Sequence, residues 1–502
     1  MNDGRSGAVT RAARRPPAVL GIDVGTTETK AGIVSLDGRL LGLARQRHAS
    51  TVDPATGLAE QDPEAWWAGL VATVRGAWQA AQAAAPEGVE LVGMAVDGHG
   101  PTLTPVDAQG RPVRPAITWQ DTRSRMDAAV LEARTGRRGW GLGILPAARW
   151  LEGHDPHAAR ATRWYLNSWE ALALRLTGRA ATFAVGGAQQ VDDELLEAAG
   201  VPPDRLPPPV PAGEVVGPVL PEIARVLGLP VGTPVVAGVV DSFASLHGAA
   251  MLRAGDAIDV GGAAGGFGLY WDQPIEARGS FTAPAPLPGL WLVGGAMAAT
   301  GAALDWFRDA VLGGRLSTPE LLAEAAAVPA GANGLVFLPY LAGERSPLWD
   351  PNARGAFAGL TLRHGHAEMT RAILEASAYA LRHLSAYILA AGGRVDAMRV
   401  CGGPARDDAW NQIKADVTGF TVEVPRILET AVVGSAILAA AGVGAQPDLP
   451  SAIGSMVGIE RRLEPDPAVA ARYDAGFQAY LALYPAISGA MGTRANAVEA
   501  LA

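Results

Sequence analysis

The segment Val19–Leu43, close to the start of the chain, predicts a β-hairpin with an acidic residue beside its first turn. The apolar run Ala18–Ile22 has the length and branching of a buried strand, and Asp23 ends it. A second strand-like run, Ala31–Ser35, leads through an Asp-Gly turn into a third run, Leu40–Ala44. The chain is therefore expected to place a carboxylate next to a tight turn at the edge of a sheet.

The first turn of this hairpin is formed by Gly25, Thr26 and Thr27. Glycine lets the backbone approach a ligand closely, and exposed N–H groups with two hydroxyls can bind phosphate oxygens. Asp23 has the chemistry to hold a hydrated Mg²⁺ ion, which prefers carboxylate and water oxygens. An ordinary hairpin with a polar turn is the alternative, and the rest of the sequence must decide between them.

The second half of the chain repeats this plan. Residues Ala257–Gly268 predict a strand, a glycine-rich turn and a returning strand, and both hairpins contain an Asp-Val-Gly triplet, at Asp23 and at Asp259. A chain of 502 residues exceeds the usual limit for one hydrophobic core, so two domains are expected. One nucleotide phosphate chain could be bound between two such turns, one from each domain.

Composition excludes several classes of protein. With 49% apolar and 18% charged residues the chain is globular, and a net charge of −9 argues against a general nucleic-acid or membrane-surface binder. A single cysteine, Cys401, cannot form an internal disulfide and fits a reducing cytoplasm. No apolar run is long enough to predict a membrane span. Residues 1–17 are expected to be a disordered basic arm, and residues 487–502 a frayed tail.

A helix and a further strand follow the first hairpin. Asp62 is a predicted N-cap, and the apolar run Leu91–Val96 is a predicted buried strand that ends at Asp97, Gly98 and His99. This order predicts a layered α/β domain, in which ligands gather beyond the strand ends. Gly98 and His99 are therefore candidate substrate contacts. A loop histidine bonded to nearby backbone is the alternative for His99.

Two further strand ends carry polar side chains. Trp119 and Asp121 offer an apolar face and a hydrogen-bonding group to a sugar, although Asp121 can instead cap the next helix. The apolar run Val235–Val240 ends in Asp241, a costly place for a carboxylate unless it caps a helix or acts chemically. Later, Gly402 and Gly403 at a strand-to-helix turn would allow a flat ring to lie against the backbone.

Several short motifs occur in one order along the chain, and with them the chain resembles the FGGY family of carbohydrate kinases over about residues 18–486. The motifs are Glu60-Gln61-Asp62-Pro63 with Trp66-Trp67, Leu176-Thr177-Gly178, Phe337-Leu338-Pro339-Tyr340-Leu341 with Gly343-Glu344-Arg345, and Gly355-Ala356-Phe357-Ala358-Gly359-Leu360 with Glu368-Met369 and Glu375. The resemblance implies an α/β fold of two ribonuclease-H-like domains of the actin-like ATPase superfamily, residues 18–246 and 247–486, with a nucleotide and sugar cleft between them.

The resemblance also implies roles for individual residues. ATP would be the donor, Mg²⁺ the cofactor, and a small sugar or polyol the substrate, with neither nucleic acid nor membrane as a partner. Asp241 matches the general base at the sugar hydroxyl, and Asp23 the acid linked to Mg²⁺. The nucleotide would be bound by a larger set, which comprises Gly25, Thr26 and Thr27 in the first phosphate turn, Gly262 and Gly265 in the second, Gly301 near it, Gly402 and Gly403 at the adenine, and Asp407 as a polar adenine contact.

The chain also departs from the family pattern. Ala263 and Ala264 replace Thr-Ser in the second phosphate turn, and Ala147 occupies the place of a common lysine. His99-Gly100-Pro101 stands where xylulokinases have Met-His-Gly, so the substrate is left open. A xylulose-like ketose is expected first, and glycerol, erythritol, ribulose or gluconate are alternatives. A catalytically silent nucleotide sensor is the alternative of another class. Dimers are common in this family, so a homodimer is one expectation.

Overall fold

A computed structural model describes residues 15–53, 55–85, 87–184 and 191–499, which form two compact units. The first unit comprises residues 15–183, 191–241 and 435–456, and the second comprises residues 184, 242–434 and 457–499. Residues 435–456, which the sequence places in the second domain, therefore belong to the first unit. Most of the predicted basic arm, residues 1–14, lies outside the described residues, and Pro17 begins the first strand.

The strands follow one another along the described chain. They are β1 Pro17–Val24, β2 Glu28–Ser35, β3 Leu40–Arg47, β4 Thr51–Asp53, β5 Leu58–Gln61, β6 Glu90–Gly98, β7 Thr104–Val106, β8 Ala116–Ile117, β9 Trp164–Leu166, β10 Thr182–Ala184, β11 Pro209–Pro211, β12 Val215–Pro218, β13 Pro234–Val236, β14 Asp256–Gly261, β15 Gly265–Trp271, β16 Phe281–Pro284, β17 Trp291–Met297, β18 Val336–Leu338, β19 Ala356–Ala358, β20 Ala397–Gly402, β21 Val422–Pro425 and β22 Ile459–Leu463.

The α-helices alternate with these strands. They are α1 Pro63–Ala84, α2 Arg125–Thr135, α3 Leu145–His154, α4 Pro156–Ala161, α5 Ser168–Thr177, α6 Asp193–Ala199, α7 Pro221–Leu227, α8 Asp241–Gly248, α9 Gly301–Trp306, α10 Thr318–Ala326, α11 His366–Ala390, α12 Asp408–Thr418, α13 Thr430–Gly442, α14 Leu449–Met456 and α15 Pro467–Glu499. Within the described residues, no helix is both long and apolar enough to cross a membrane.

The central sheet of the first unit has the strand order β12-β13-β6-β1-β2-β3. β1 and β2 pair antiparallel as the predicted hairpin, and β6 pairs parallel with β1. Every residue of β1 after Pro17 is buried, as its uninterrupted apolar run predicts. Helix α1 begins after Asp62, whose side chain accepts from the Glu64 N–H, and it buries Trp66 and Leu70. The predicted helix and its cap are confirmed.

The central sheet of the second unit has the strand order β16-β17-β15-β14-β20-β21-β22. β14 pairs antiparallel with β15 and parallel with β20, so it repeats the pairing of β1 with β2 and β6. The long helix α11 is buried along the face that includes Ile373, Leu384 and Ile388. The predicted second hairpin is confirmed.

Two predicted elements differ from the observed ones. The strand expected over Val235–Val240 ends at Val236 as β13, and only Val240 makes a further parallel bridge, to Gly98. The interruption is at Gly238, where a Cβ atom would lie 1.9 Å from the Val96 carbonyl oxygen, so the backbones approach too closely for a regular ladder. At the other end of the chain, α15 continues to Glu499, so residues 487–499 of the expected tail are helical.

Candidate functional site

Three carboxylates follow neighbouring strands at one edge of the first sheet. Asp23 in β1 lies opposite Asp97 in β6 in the parallel register. Asp241 follows Val240, which bridges Gly98 at the end of β6. The carboxyl ends of parallel strands are where ligands gather in sheets of this kind. The fold therefore brings predicted residues Asp23 and Asp241 to the same edge, and it adds Asp97 between them.

The environment of Asp97 is dry and negatively charged. Its side chain is fully buried, and the Ser435 hydroxyl donates a hydrogen bond of 2.5 Å to its Oδ2 atom. Burial and the charges of Asp23 and Asp241 raise the pKa of Asp97 well above its ordinary value, against the opposing effect of Ser435. Lys30 donates to Asp23 Oδ2 at 3.3 Å, and although burial opposes it, the neighbouring carboxylates raise the pKa of Lys30.

These carboxylates fit a magnesium ion in chemistry and in number. Asp23 is 5% exposed, and neither its Oδ1 atom nor that of Asp97 has a hydrogen-bond partner among the described residues. Mg²⁺ is commonly bound by one or two carboxylates, with water and substrate phosphates as the other ligands. In the described part of the chain no three His, Cys, Asp or Glu side chains are grouped as a metal site, so protein ligands alone would not complete the coordination.

The first turn is held rigidly by neighbouring groups. The Gly25 N–H donates to the Glu28 carbonyl, and Gln61 Nε2 donates to the Thr26 carbonyl at 2.6 Å. Trp119 Nε1 donates to Thr26 Oγ1 at 3.1 Å, although the ring remains 44% exposed. Trp119 therefore connects the predicted phosphate turn with the predicted sugar-binding segment, and the sequence did not indicate this contact.

A cavity of about 390 Å³ lies beside Trp119. Its walls include the half-exposed rings of Trp119 and Trp140, with Gly100 and Pro101 on one side and Arg125 on another. The volume and the mixture of aromatic rings with polar groups suit a small polyhydroxy compound. The sequence analysis did not select Trp140, because a lone tryptophan between glycines carries no periodic pattern.

Asp121 has a different environment from the one predicted. Its carboxylate is 1% exposed, and it accepts hydrogen bonds from the Ala59 N–H at 2.8 Å and from the Arg123 guanidinium at 2.7 Å. Arg123 in turn contacts Glu60 and stacks over Trp150, 4.4 Å from the ring centre. Both oxygens of Asp121 are thus used within the protein. The residue organises the loop that presents Trp119, and it also lines the cavity beside that ring, so a direct sugar contact stays a prediction.

Gly98 and His99 are both buried at the end of β6. A Cβ atom on Gly98 would lie 2.5 Å from Ser168 Oγ, so this glycine permits close packing against α5, and its contact with a substrate stays a prediction. His99 Nδ1 lies 2.9 Å from Thr102 Oγ1, and burial lowers the pKa of His99 to about 3, so the imidazole is neutral. Its Nε2 atom is buried and has no partner among the described residues, and His99 does not line the cavity beside Trp119, so its contact with a sugar stays a prediction.

The second turn, Gly262-Ala263-Ala264, is held mainly by backbone N–H groups at the start of a helix, with a longer bond of 3.5 Å from the Thr300 hydroxyl to the Gly262 carbonyl. The Thr300 N–H and the Ala302 N–H donate to the Ala263 carbonyl, and the Gly301 N–H donates to the Gly262 carbonyl at 3.0 Å. A Cβ atom on Gly301 would lie 2.3 Å from the Gly262 carbonyl oxygen, so a glycine is required there. Backbone hydrogen bonds therefore join the first turn of α9 to the predicted phosphate turn.

A cavity of about 670 Å³ in the second unit joins several predicted nucleotide contacts. Gly262, Gly301, Gly403 and Asp407 all line it. A Cβ atom on Gly403 would meet nothing within 4 Å, so this glycine leaves open space that a larger side chain would fill. The other walls are mostly apolar and suit a flat heterocycle; they include Leu304, Pro319, Leu322, Ala326, Pro404 and Trp410.

Two predicted nucleotide contacts do not line this cavity. A Cβ atom on Gly265 would lie 2.7 Å from the Thr300 methyl group, so Gly265 permits packing between the returning strand and the loop before α9. Gly402 has a φ of +78°, and its Cβ atom would lie 1.9 Å from the Gly261 carbonyl oxygen. The neighbours of both Cβ positions are protein atoms, and contact of these two glycines with a nucleotide stays a prediction. Asp407 has a structural contact as well, because it caps α12 through the Trp410 N–H at 2.7 Å.

Comparisons with known proteins agree with this arrangement. The model of the N-terminal domain of the FGGY family of carbohydrate kinases matches residues 18–248, and that of the C-terminal domain matches residues 262–443. The xylulose kinase of Escherichia coli (strain K12) is 34% identical over 421 residues, which cover 80% of this chain and 84% of that protein. The gluconokinase of Bacillus subtilis (strain 168) is 28% identical over 476 residues, covering 89% and 91%. The crystal structure of xylulose kinase from Rhodospirillum rubrum superposes with a TM-score of 0.79 and 31% identity, covering 95% of this chain and all of that one.

Proposed function

The chain belongs to the FGGY family of carbohydrate kinases, and from this premise we propose that it phosphorylates a ketopentose such as D-xylulose. The family makes it an ATP-dependent carbohydrate kinase whose acceptor is a sugar or polyol. The choice of a ketopentose rests chiefly on one observation, the 34% identity with a xylulose kinase over 80% of the chain. The size of the cavity beside Trp119 is consistent with a five-carbon sugar.

The first unit would bind the sugar and hold the base. Trp119 offers the exposed part of its ring to the apolar face of the sugar, and His99 Nε2 can bond a hydroxyl group. Asp241, at the edge of the sheet, would accept the proton of the attacking hydroxyl, a contribution of about 10²–10⁴-fold for a positioned base. Asp121 lines the same cavity, and it also holds the loop that presents Trp119 through its bonds with Arg123 and Ala59.

The nucleotide would be bound by backbone groups and an apolar cavity. In the second unit, the cavity above Gly403 would accept the adenine ring, and Gly262 lies at the same cavity. In the first unit, the turn at Gly25 and the hydroxyls of Thr26 and Thr27 would bind phosphate oxygens. Asp23 would hold Mg²⁺. When bound, Mg-ATP supplies the phosphoryl group and neutralises its developing charge, so the protein mainly positions the reactants.

A sugar acid such as gluconate is the second candidate substrate. The gluconokinase of Bacillus subtilis matches a larger share of the chain than the xylulose kinase does, 89% against 80%, although at lower identity. Arg125 at the cavity wall also provides a cation for a substrate carboxylate. Both observations make gluconate a necessary part of the experiment below.

A coupled assay of ADP release over ketoses, polyols and aldonates tests the proposal. We expect D-xylulose to give the highest kcat/KM, at least tenfold above gluconate, glycerol, erythritol and ribulose. A highest value for gluconate would replace the proposal by the second candidate. As a control for ATP hydrolysis without transfer, each sugar phosphate should be detected in an amount equal to the ADP released. Release of ADP without any sugar phosphate would contradict both candidates.

A further inference from the structure

The pairing of Asp23 with Asp97 is an unusual feature of the first sheet. The two residues are register partners on adjacent parallel strands, so their side chains lie on the same face of the sheet. Asp97 is fully buried, and Asp23 is 5% exposed. Two carboxylates placed side by side away from water repel each other unless a positive charge or a proton lies with them.

The hydrogen bonds of the pair leave one oxygen of each carboxylate without a partner. Ser435 donates to Oδ2 of Asp97 at 2.5 Å, and Lys30 donates to Oδ2 of Asp23 at 3.3 Å. The Oδ1 atoms of both residues have no donor within the described residues. Buried oxygens in proteins are almost always bonded, so either a bound group or a proton shared by the two carboxyl groups is expected at these two atoms.

The charges nearby favour a cation as that group. Lys30 is shared between Asp23 and Glu28, at 3.3 Å from each, so it does not neutralise the whole cluster. Asp241 adds its charge to the field at Asp97. A negatively charged group at the two Oδ1 atoms is therefore excluded. A hard divalent cation matches the two available carboxylate oxygens, since such ions take one or two carboxylates and complete their shell with water or phosphate.

We propose that Asp97 is a second protein ligand of the divalent cation, together with Asp23. The inference rests on the proposed function in one respect, namely that this cation is the one that accompanies ATP. Ser435 then acts as a positioning residue, because its hydroxyl fixes one oxygen of Asp97 and leaves the other directed to the ion. A proton held between the two carboxyl groups would satisfy the same oxygens, and it is the alternative that an experiment must separate.

Titration of the full chain with Mn²⁺, without nucleotide, separates the two arrangements. Free Mn²⁺ is measured by electron paramagnetic resonance for the wild type, Asp97→Asn and Asp23→Asn. Asparagine has the shape of a protonated aspartic acid, and it still accepts from Ser435. If Asp97 is a ligand, Asp97→Asn should weaken Mn²⁺ binding at least tenfold, as should Asp23→Asn. If Asp97 only holds a proton, Asp97→Asn should bind Mn²⁺ as the wild type does, which would overturn the proposal. A wild type that binds no Mn²⁺ would also overturn it.

Two further variants serve as controls. Asp193→Asn removes an exposed carboxylate on α6 and should leave Mn²⁺ affinity unchanged. Ser435→Ala removes the bond to Asp97 without changing a charge, so it provides a second test should Asp97→Asn fail to fold. We expect Ser435→Ala to lower Mn²⁺ affinity severalfold, and affinity equal to that of the wild type in a folded Ser435→Ala variant would contradict the proposal.

The Mn²⁺ titration and the sugar assay test separate claims, so either claim can be refuted without the other. An enzyme that phosphorylates a sugar but binds Mn²⁺ equally well with Asp97→Asn would refute the second ligand and leave the proposed function intact. A protein that phosphorylates none of the sugars but loses Mn²⁺ affinity with Asp97→Asn would refute the proposed function and leave the second ligand intact.

Discussion

The two Asp-Val-Gly hairpins share a sequence pattern and a strand pairing but differ in what surrounds their carboxylates. In the first unit, Asp23 lies beside the carboxylate Asp97, and one of its oxygens has no partner among the described residues. In the second unit, Asp259 makes an ion pair of 2.6 Å with Lys414, and both side chains are at most 5% exposed. The same backbone therefore places two carboxyl groups side by side in one unit and a carboxylate beside a lysine in the other.

The turns that follow these residues differ in the same way. The first turn offers the hydroxyls of Thr26 and Thr27 and is held by the side chains of Gln61 and Trp119. The second turn has no hydroxyl and is held by N–H groups at the start of α9. The comparison indicates that the first hairpin is suited to chemistry on a charged group. The second is suited to holding a ligand by backbone and shape.

The largest expected effect is on the chemical step and concerns the first unit. Asp241→Asn keeps the size of the side chain but cannot accept a proton, so kcat should fall by about 10²-fold or more. KM for sugar and for ATP, and the melting temperature, should change little. Asparagine and aspartate are nearly equal helix caps, so a variant that retains most of its turnover would show that Asp241 only begins α8.

The next effect concerns the neutral pair in the second unit. Lys414→Met leaves Asp259 buried without a counter-charge, which typically costs about 3–5 kcal/mol of stability. Lys30→Met in the first unit is the matched variant. Lys30 is 22% exposed and lies 3.3 Å from Asp23, so its loss should cost less, roughly 1–3 kcal/mol. Urea denaturation measures both. Equal losses would break the comparison, because they would mean that the two carboxylates depend on their lysines to the same degree.

A third difference between the two units should appear in how the stability of the folded protein depends on pH. Glu344 accepts from the Ala298 and Arg345 N–H groups through one oxygen, and it thereby holds the loop that precedes α9, whose first residues bond to the second turn. Burial raises the pKa of Glu344 to about 7. The unfolded chain, with an ordinary glutamate pKa, releases this proton at lower pH than the folded protein does. Stability is therefore lost as pH rises from about 4.5 to about 7, and it does not change further above that range.

Glu344→Gln should abolish the pH-dependent contribution of this side chain to stability, because glutamine keeps the accepting oxygen and does not ionise. The stability of the variant relative to the wild type should increase between pH 5 and pH 8 by at most about 3 kcal/mol. Urea denaturation at the two pH values measures the change. In the first unit the corresponding support is the neutral Gln61, so no such dependence is expected from it. A wild type and variant with parallel pH profiles would contradict this prediction.

The smallest expected effect comes from restoring hydroxyls to the second turn. Ala263→Thr combined with Ala264→Ser should lower KM for ATP by a few-fold, because one added hydrogen bond contributes about 0.5–1.5 kcal/mol. KM for the sugar serves as the internal control and should be unchanged. Thr26→Ala with Thr27→Ala is the reverse change in the first turn and should raise KM for ATP. An unchanged KM in both double variants would show that neither turn uses hydroxyls.

Sequence alone determined most of the local structure. The hairpins, the cap of α1 and the buried face of α11 follow from apolar periodicity, turn residues and capping preferences, and all of these act within a few residues. The motifs placed the chain in its family, and Asp23 and Asp241 were found because each follows an apolar run. The glycines were identified because the residue type alone shows that no side chain is present.

Only the tertiary structure decided which groups those residues meet. Ser435 reaches Asp97 across 338 positions, and residues 435–456 join the first unit although the chain order places them with the second. Lys414 neutralises Asp259, and Arg123 occupies Asp121, through contacts that no local pattern encodes. Hydrogen bonds and ion pairs depend on distance in space and on burial, whereas periodicity reports only the neighbours along the chain. For that reason the sequence located the carboxyl groups, and the fold decided which of them are paired with a cation and which keep an oxygen without a protein partner.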